Sequence, residues 1–334
     1  MTLVETQFRL DAGTMPWPGA GSATEAVRLR NVVKTFGGVV AVDGVSLTIA
    51  RGEVVALLGP NGAGKTTTID MLLALSRPTS GSVTVFGGPP REAVARGLVA
   101  AVMQSGGLLK DYTVAETVRL TASLFGSSRP VGELLARAGI ADIADRRVGA
   151  CSGGQQQRLR FAMALAPDPE LLILDEPTTG MDVEGRRDFW AAIRDDAAAG
   201  RTVIFATHYL AEADEYADRI VLIRKGQIAA DGTPAQIKSL GSGRVVKATL
   251  PGRTLRDLDL IPGATSVEIR GDTVIVHADD SDAVARHLLT TTGARDLEIT
   301  SRNIEDAFIA LTNDDATEGD SMTDDALPSA EEAL

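Results

Sequence analysis

The chain has 334 residues, 44% hydrophobic and 4% aromatic, enough for one domain of about 200–250 residues with a smaller companion. Its formal net charge of −12 argues against a nucleic-acid binder, which needs clustered Lys and Arg, and no apolar run approaches the roughly 20 residues needed to cross a bilayer. Glu5, Arg9 and Asp11 interrupt the place of a secretory signal, and the single cysteine, Cys151, cannot close an internal disulfide, so a cytoplasmic protein is expected.

Residues 1–26, with Gly13, Pro16, Pro18, Gly19 and Gly21, read as an irregular leader. Residues 27–240 alternate short β-rich runs with helical stretches, the pattern of an α/β domain with a parallel sheet. Four apolar runs, 54–58, 100–103, 171–174 and 203–207, end at Gly59, Gln104, Asp175 and His208. As buried parallel strands they would bring these four positions to one edge, the carboxyl edge where α/β sheets bind ligands.

The first run opens Gly59-Pro60-Asn61-Gly62-Ala63-Gly64-Lys65-Thr66-Thr67, a match to the phosphate-binding loop G-x-x-x-x-G-K-[ST]. Glycines let successive backbone N–H groups turn inward around phosphate oxygens, and a helix predicted over about residues 65–75 points its positive end at them. Lys65 is expected to reach the β and γ phosphates of ATP, and Thr66 to ligate Mg2+. Further on, Cys151-Ser152-Gly153-Gly154-Gln155-Gln156-Gln157-Arg158-Leu159 precedes an apolar helix to about residue 166. Ser152 would cap it and offer a second set of N–H donors for phosphate. After the buried run 171–174, Asp175 can hold the magnesium and Glu176 can orient or deprotonate the attacking water.

Gly241-Ser242-Gly243 reads as a linker. Beyond it, strands at 245–250, 265–269, 273–276 and 297–300, helices at 281–291 and 303–311 and a weaker one near Leu255 suggest a small β-α-β-β-α-β-α domain over residues 244–312. Residues 313–334 carry Asp314, Asp315, Glu318, Asp320, Asp324, Asp325, Glu331 and Glu332 without a basic residue, the composition of a disordered tail.

The run 151–159 resembles the signature motif of the ABC ATPase superfamily, with Cys151 where Leu is usual. With Gln104 as Q-loop, residues 178–182 as D-loop and His208 as switch histidine, the resemblance covers nearly all of residues 27–240. It implies a phosphate-loop, RecA-like α/β ATPase domain with antiparallel β and α-helical subdomains, plus the small α+β C-terminal domain. It also implies two ATP molecules sandwiched in a head-to-tail dimer, Ser152, Gly153, Gly154 and Gln155 facing the γ-phosphate held by the partner. Gln104 would sense magnesium and touch a membrane subunit, His208 would hold the γ-phosphate, and Asp182 would couple the two sites. Phe36, in Lys34-Thr35-Phe36-Gly37, reads as a core side chain or, as the resemblance implies, as the aromatic that stacks on adenine. The stretches 206–214 and 303–309 resemble ATPases of the ABC-2 export class, including the daunorubicin-resistance type. That implies an integral permease of that type, peripheral attachment at the cytoplasmic face of the membrane, and no nucleic-acid partner. The rival readings are an importer ATPase of the methionine type and a soluble ABC protein.

Overall fold

The computed structural model describes residues 24–103, 107–125, 129–240, 244–252, 261–301 and 308. Gln104, the linker, the weak helix near Leu255, the helix expected over 303–311 (Phe308 apart), the acidic tail and all but the last residues of the leader lie outside them.

The chain opens with β1 (Glu25–Phe36) and β2 (Val39–Ala50), which pair antiparallel around Gly37 at a φ of 57°. Alternation decides their faces: Val27 and Leu29 on β1, and Val45, Leu47 and Ile49 on β2, are buried. All five residues of β3 (Val54–Leu58) are buried, as in a strand covered on both sides. Next come α1 (Lys65–Leu72), β4 (Ser80–Val85), α2 (Pro90–Ala95), β5 (Val99–Val102), α3 (Val114–Ala122) and α4 (Val131–Arg137). The helix predicted to reach residue 75 stops short because Ala74 takes a left-handed φ of 58°, turning the Leu75 and Ser76 amides back to the Asp70 carbonyl at 2.8 and 3.2 Å. α3 starts with a capping box: Thr113 and Glu116 satisfy each other's backbone N–H groups.

The series continues with α5 (Gly153–Leu165), β6 (Leu171–Asp175), α6 (Val183–Ala198), β7 (Thr202–Ala206), α7 (Leu210–Tyr216), β8 (Arg219–Arg224), β9 (Gln227–Gly232) and α8 (Pro234–Leu240). Last are β10 (Arg244–Thr249), β11 (Ala264–Arg270), β12 (Thr273–Ala278), α9 (Ser281–His287) and β13 (Arg295–Ser301). The strands form a three-stranded sheet in the order β2-β1-β4, a six-stranded sheet in the order β5-β6-β7-β3-β8-β9 and a four-stranded sheet in the order β11-β12-β10-β13.

Among the described residues, those up to Val54 together with Thr66–Phe205 make one compact unit, and Val55–Lys65 together with those from Ala206 onward make another. In the first, a ladder of edge-to-face rings runs Phe161, Phe189, Trp190, Phe205 with centroids 5.1, 5.8 and 4.6 Å apart, each pair adding about 0.5–1.5 kcal/mol beyond area burial. The fully buried Asp196 pairs with Arg137 and Arg201. Arg201 also donates to Asp168 and to the Pro169 carbonyl, both at 2.7 Å, and Arg129 donates to Asp168 at 3.0 Å. This network ties both ends of α4 and the end of α6 to the turn that feeds β6.

In the second unit, Val246 and Ala248 of β10, Val274 and Val276 of β12 and Val284 and Leu288 form one apolar cluster under α9. The strands expected at 245–250, 265–269, 273–276 and 297–300 are present as β10 to β13, with bounds that differ by at most two residues. The helix expected over 281–291 is α-helical only to His287 and then widens into a π-type turn over Leu288–Thr292. There the hydroxyls of Thr290, Thr291 and Thr292 bond back four residues to carbonyl oxygens, a competition that loosens a helix. Among the described residues no helix is long and apolar enough to cross a membrane.

Candidate functional site

The phosphate loop belongs to the second unit up to Lys65. It leaves the buried β3 at Gly59, whose φ is +153°, and passes Gly62 and Gly64 at +79° and +107°. All three angles suit glycine best. A Cβ on Gly59 would stand 2.2 Å from the Ile223 carbonyl oxygen, so close approach to β8 adds a second reason for glycine there; around Gly62 there is nothing within 4 Å, so its backbone is open to a ligand. The turn is closed by the Ala63 N–H on the Pro60 carbonyl at 3.1 Å and by the Gly226 N–H on the Ala63 carbonyl at 2.9 Å. Lys65 donates Nζ to the carbonyls of Gly59 at 2.6 Å and Pro60 at 3.1 Å, which lays the ammonium across the loop. Pro60, Asn61 and Gly62 are exposed, as a ligand-receiving loop must be. In the same unit β7 ends at Ala206, and His208 is exposed with its ring 4.1 Å from that of Tyr209.

The first unit carries the remaining side chains. Thr66 is exposed and Thr67 half-buried at the start of α1, whose Ile69, Met71 and Leu72 are buried. β5 and β6 run parallel with Val102 opposite Leu174, so Met103 and Asp175 emerge at the same end. Asp175 and Glu176 are half-buried, and Glu176 has a φ of +50°. For a residue with a Cβ that conformation costs about 1–2 kcal/mol and is typical of functional positions held by their surroundings.

Ser152 caps α5 in a capping box with Gln155: Gln155 N–H donates to Ser152 Oγ at 3.2 Å and Ser152 N–H to Gln155 Oε1 at 3.0 Å. The glycine requirement at 154 comes from the D-loop, since a Cβ there would lie 3.1 Å from the Gly180 carbonyl oxygen. Asp182 caps α6 through the Gly185 N–H at 2.8 Å. A polar cavity of about 410 Å3 lies between these segments, lined by Ser152, Gly154, Gln155, Arg158 and Asp182. Cys151 is buried, its Sγ 3.5 Å from the Arg147 carbonyl, and burial pushes its thiol pKa up. It packs as an apolar side chain, the part its usual leucine would play. Phe36 is 53% exposed with Lys34 Nζ 4.7 Å above its ring, which removes the core reading and leaves an aromatic surface.

Arg158 is a junction that no local motif announces. Its guanidinium donates to the Gly139 carbonyl at 3.3 Å and the Gly185 carbonyl at 2.9 Å, and pairs with Asp188 at 3.4 Å. A Cβ on Gly139 would come within 2.4 Å of it. Only partners far along the chain reveal this role.

The donor set suits magnesium carried in with a triphosphate. Thr66 and Asp175 supply hard oxygens, and among the described residues no group of three or more His, Cys, Asp or Glu could hold a metal alone; such an ion keeps most of its shell from phosphates and water.

The chain is similar to known proteins along most of its length. Residues 42–179 match the family model described as ABC transporter. The chain is 39% identical over 295 residues to the Nod factor export ATP-binding protein I of Burkholderia lata, covering 86% of this chain and 96% of that protein. Among solved structures it is similar to an ATP-binding subunit of an ABC transporter (27% identity, TM-score 0.59, 64% of this chain and 92% of that one). It is also similar to a dimeric post-hydrolysis ATP-binding cassette bound to ADP and phosphate (27% identity, TM-score 0.57, 62% of this chain and 98% of that one). The chain therefore belongs to the ATP-binding subunits of ABC transporters, enzymes that bind ATP with magnesium and hydrolyse it to drive transport.

Proposed function

We propose that this chain powers an exporter of the ABC-2 type, moving a drug-like or lipid-like compound through a permease encoded on a separate chain, with two copies of this chain at the cytoplasmic face of the membrane. The observation that carries this is similarity over 295 residues to ATP-binding proteins named for Nod factor export, a span longer than residues 27–240 and so reaching into the small C-terminal part. That part, residues 244–312, we take as a cap that stabilises the dimer.

In this reading the amides from Gly59 to Thr67 and the Lys65 ammonium hold the phosphates, while Phe36 stacks on adenine. Thr66, Asp175 and Gln104 would supply oxygens to a magnesium ion, which would offset the charge developing on the phosphates. Glu176 orients and deprotonates the water, and His208 holds the γ-phosphate as it leaves. Ser152, Gly153, Gly154 and Gln155 close on the partner's nucleotide, with Asp182 linking the two sites. ATP favours the closed pair and hydrolysis removes that preference. An apolar cavity of about 430 Å3 lined by Val99, Val102, Met103, Leu108, Phe125 and Met163 is a receptacle for the permease.

Co-expression with any multi-helix membrane protein that co-purifies with this chain tests the export reading. In vesicles holding both, ATP should drive a compound away from the ATPase side. Uptake toward the ATPase side would identify an importer, and failure to join any membrane protein would identify a soluble ABC protein.

A further inference from the structure

In the first turn of α7 lies a buried carboxylate that none of these roles uses. Glu212 is 3% exposed and Thr207 1% exposed. Glu212 is the third residue of α7, the position from which a glutamate reaches back to accept the N–H of the residue preceding a helix. Here a hydroxyl is interposed. The Tyr209 N–H donates to Thr207 Oγ1 at 3.0 Å, and Thr207 Oγ1 donates to Glu212 Oε2 at 3.1 Å. The Glu212 N–H returns to the Tyr209 carbonyl at 3.0 Å, closing a ring of contacts around the turn. A hydroxyl and a carboxylate in so dry a place are stable only when hydrogen-bonded, so the geometry of the turn is fixed by that need. The residue enclosed is His208, between Thr207 and Tyr209, with its imidazole 4.1 Å from the Tyr209 ring at 36°.

We propose that Glu212 is a positioning residue for His208: through the Thr207 hydroxyl it sets the backbone on both sides of the histidine, and with it the Tyr209 ring beside the imidazole. The effect on catalysis rests on the reading that His208 holds the γ-phosphate. Thr207→Val keeps the shape but removes both hydrogen bonds, and Glu212→Ala removes the acceptor. Both should lower kcat by about 10- to 100-fold, as displacement of a catalytic group by about 1 Å does, with KM for ATP nearly unchanged because the phosphate loop is untouched. Glu212→Gln keeps an oxygen for the Thr207 hydroxyl and should restore most of kcat.

The decisive readout is the ring-nitrogen NMR spectrum, because the chain has only three histidines, His208, His277 and His287. The His208 signals should move in Thr207→Val and Glu212→Ala while the other two stay. Unmoved His208 signals, or all three moving together, would overturn the proposal, the latter showing a general disturbance. His208→Ala separates the two readings: normal hydrolysis in it would remove the catalytic role of the imidazole, and the positioning claim would then stand or fall on the ring signals alone.

Discussion

Lys65 is held across the phosphate loop by the Gly59 and Pro60 carbonyls. Those carbonyls keep the ammonium within the loop instead of in solvent; in the proposed role of Lys65, ATP binding would exchange these two neutral acceptors for charged phosphate oxygens. Charge-assisted hydrogen bonds contribute about 1.5–3 kcal/mol, so Lys65→Ala should weaken ATP binding by about 10- to 100-fold, as read by titration with a fluorescent analogue, and should abolish hydrolysis. At Cys151 burial raises the thiol pKa, so less thiolate exists at any given pH. Alkylation of the folded protein should rise only well above pH of about 8.5, where free cysteine already reacts, and Cys151→Leu should keep full ATPase activity. The residues with local signatures were legible in the sequence. Gly59 to Thr67, Asp175, Glu176 and Ser152 stand out as candidates because the motifs that contain them are local, with their residues only a few positions apart. Arg158 did not, since its acceptors lie 19 and 27 positions off. The Glu212 clasp was hidden because its key step runs through a threonine hydroxyl.

The elements that carry the site owe their placement to polar junctions as much as to apolar burial. Asp196 is fully buried between Arg137 and Arg201. Removing one member of such a group leaves charge uncompensated, so Asp196→Ala should destabilise the protein by about 3–5 kcal/mol in urea unfolding. An unchanged midpoint would show that water enters and solvates the arginines. Strand existence was readable because the buried runs in β3, β6 and β7 are nearly free of polar residues; β3 keeps the expected bounds, while β6 gains Asp175 and β7 begins and ends one residue early. Helix ends were harder, for a different physical reason. α1 is terminated by a left-handed alanine, a residue that gives no stop signal, and α9 by threonines whose hydroxyls compete for its carbonyls.

At the scale of the whole chain, deleting residues 314–334 should leave ATPase rate and melting temperature nearly unchanged, because so acidic a stretch has little apolar surface to bury; a large drop in melting temperature would show that it docks. The central claim is that one ATP is held by the phosphate loop of one copy, closed by the signature of another and hydrolysed by Glu176. Glu176→Gln keeps the shape and nucleotide contacts but removes the base, which costs about 10²- to 10⁴-fold in rate. Size-exclusion chromatography of Glu176→Gln in Mg-ATP, with the nucleotide content of each peak measured, reads both halves of the claim. The variant is expected to run as a dimer that retains ATP, and Ser152→Arg added to it to return the monomer by blocking the opposing signature; in a dimer already fixed by residues 244–312, the readout is retained ATP that Ser152→Arg releases. Normal turnover by Glu176→Gln with no retained nucleotide would contradict it.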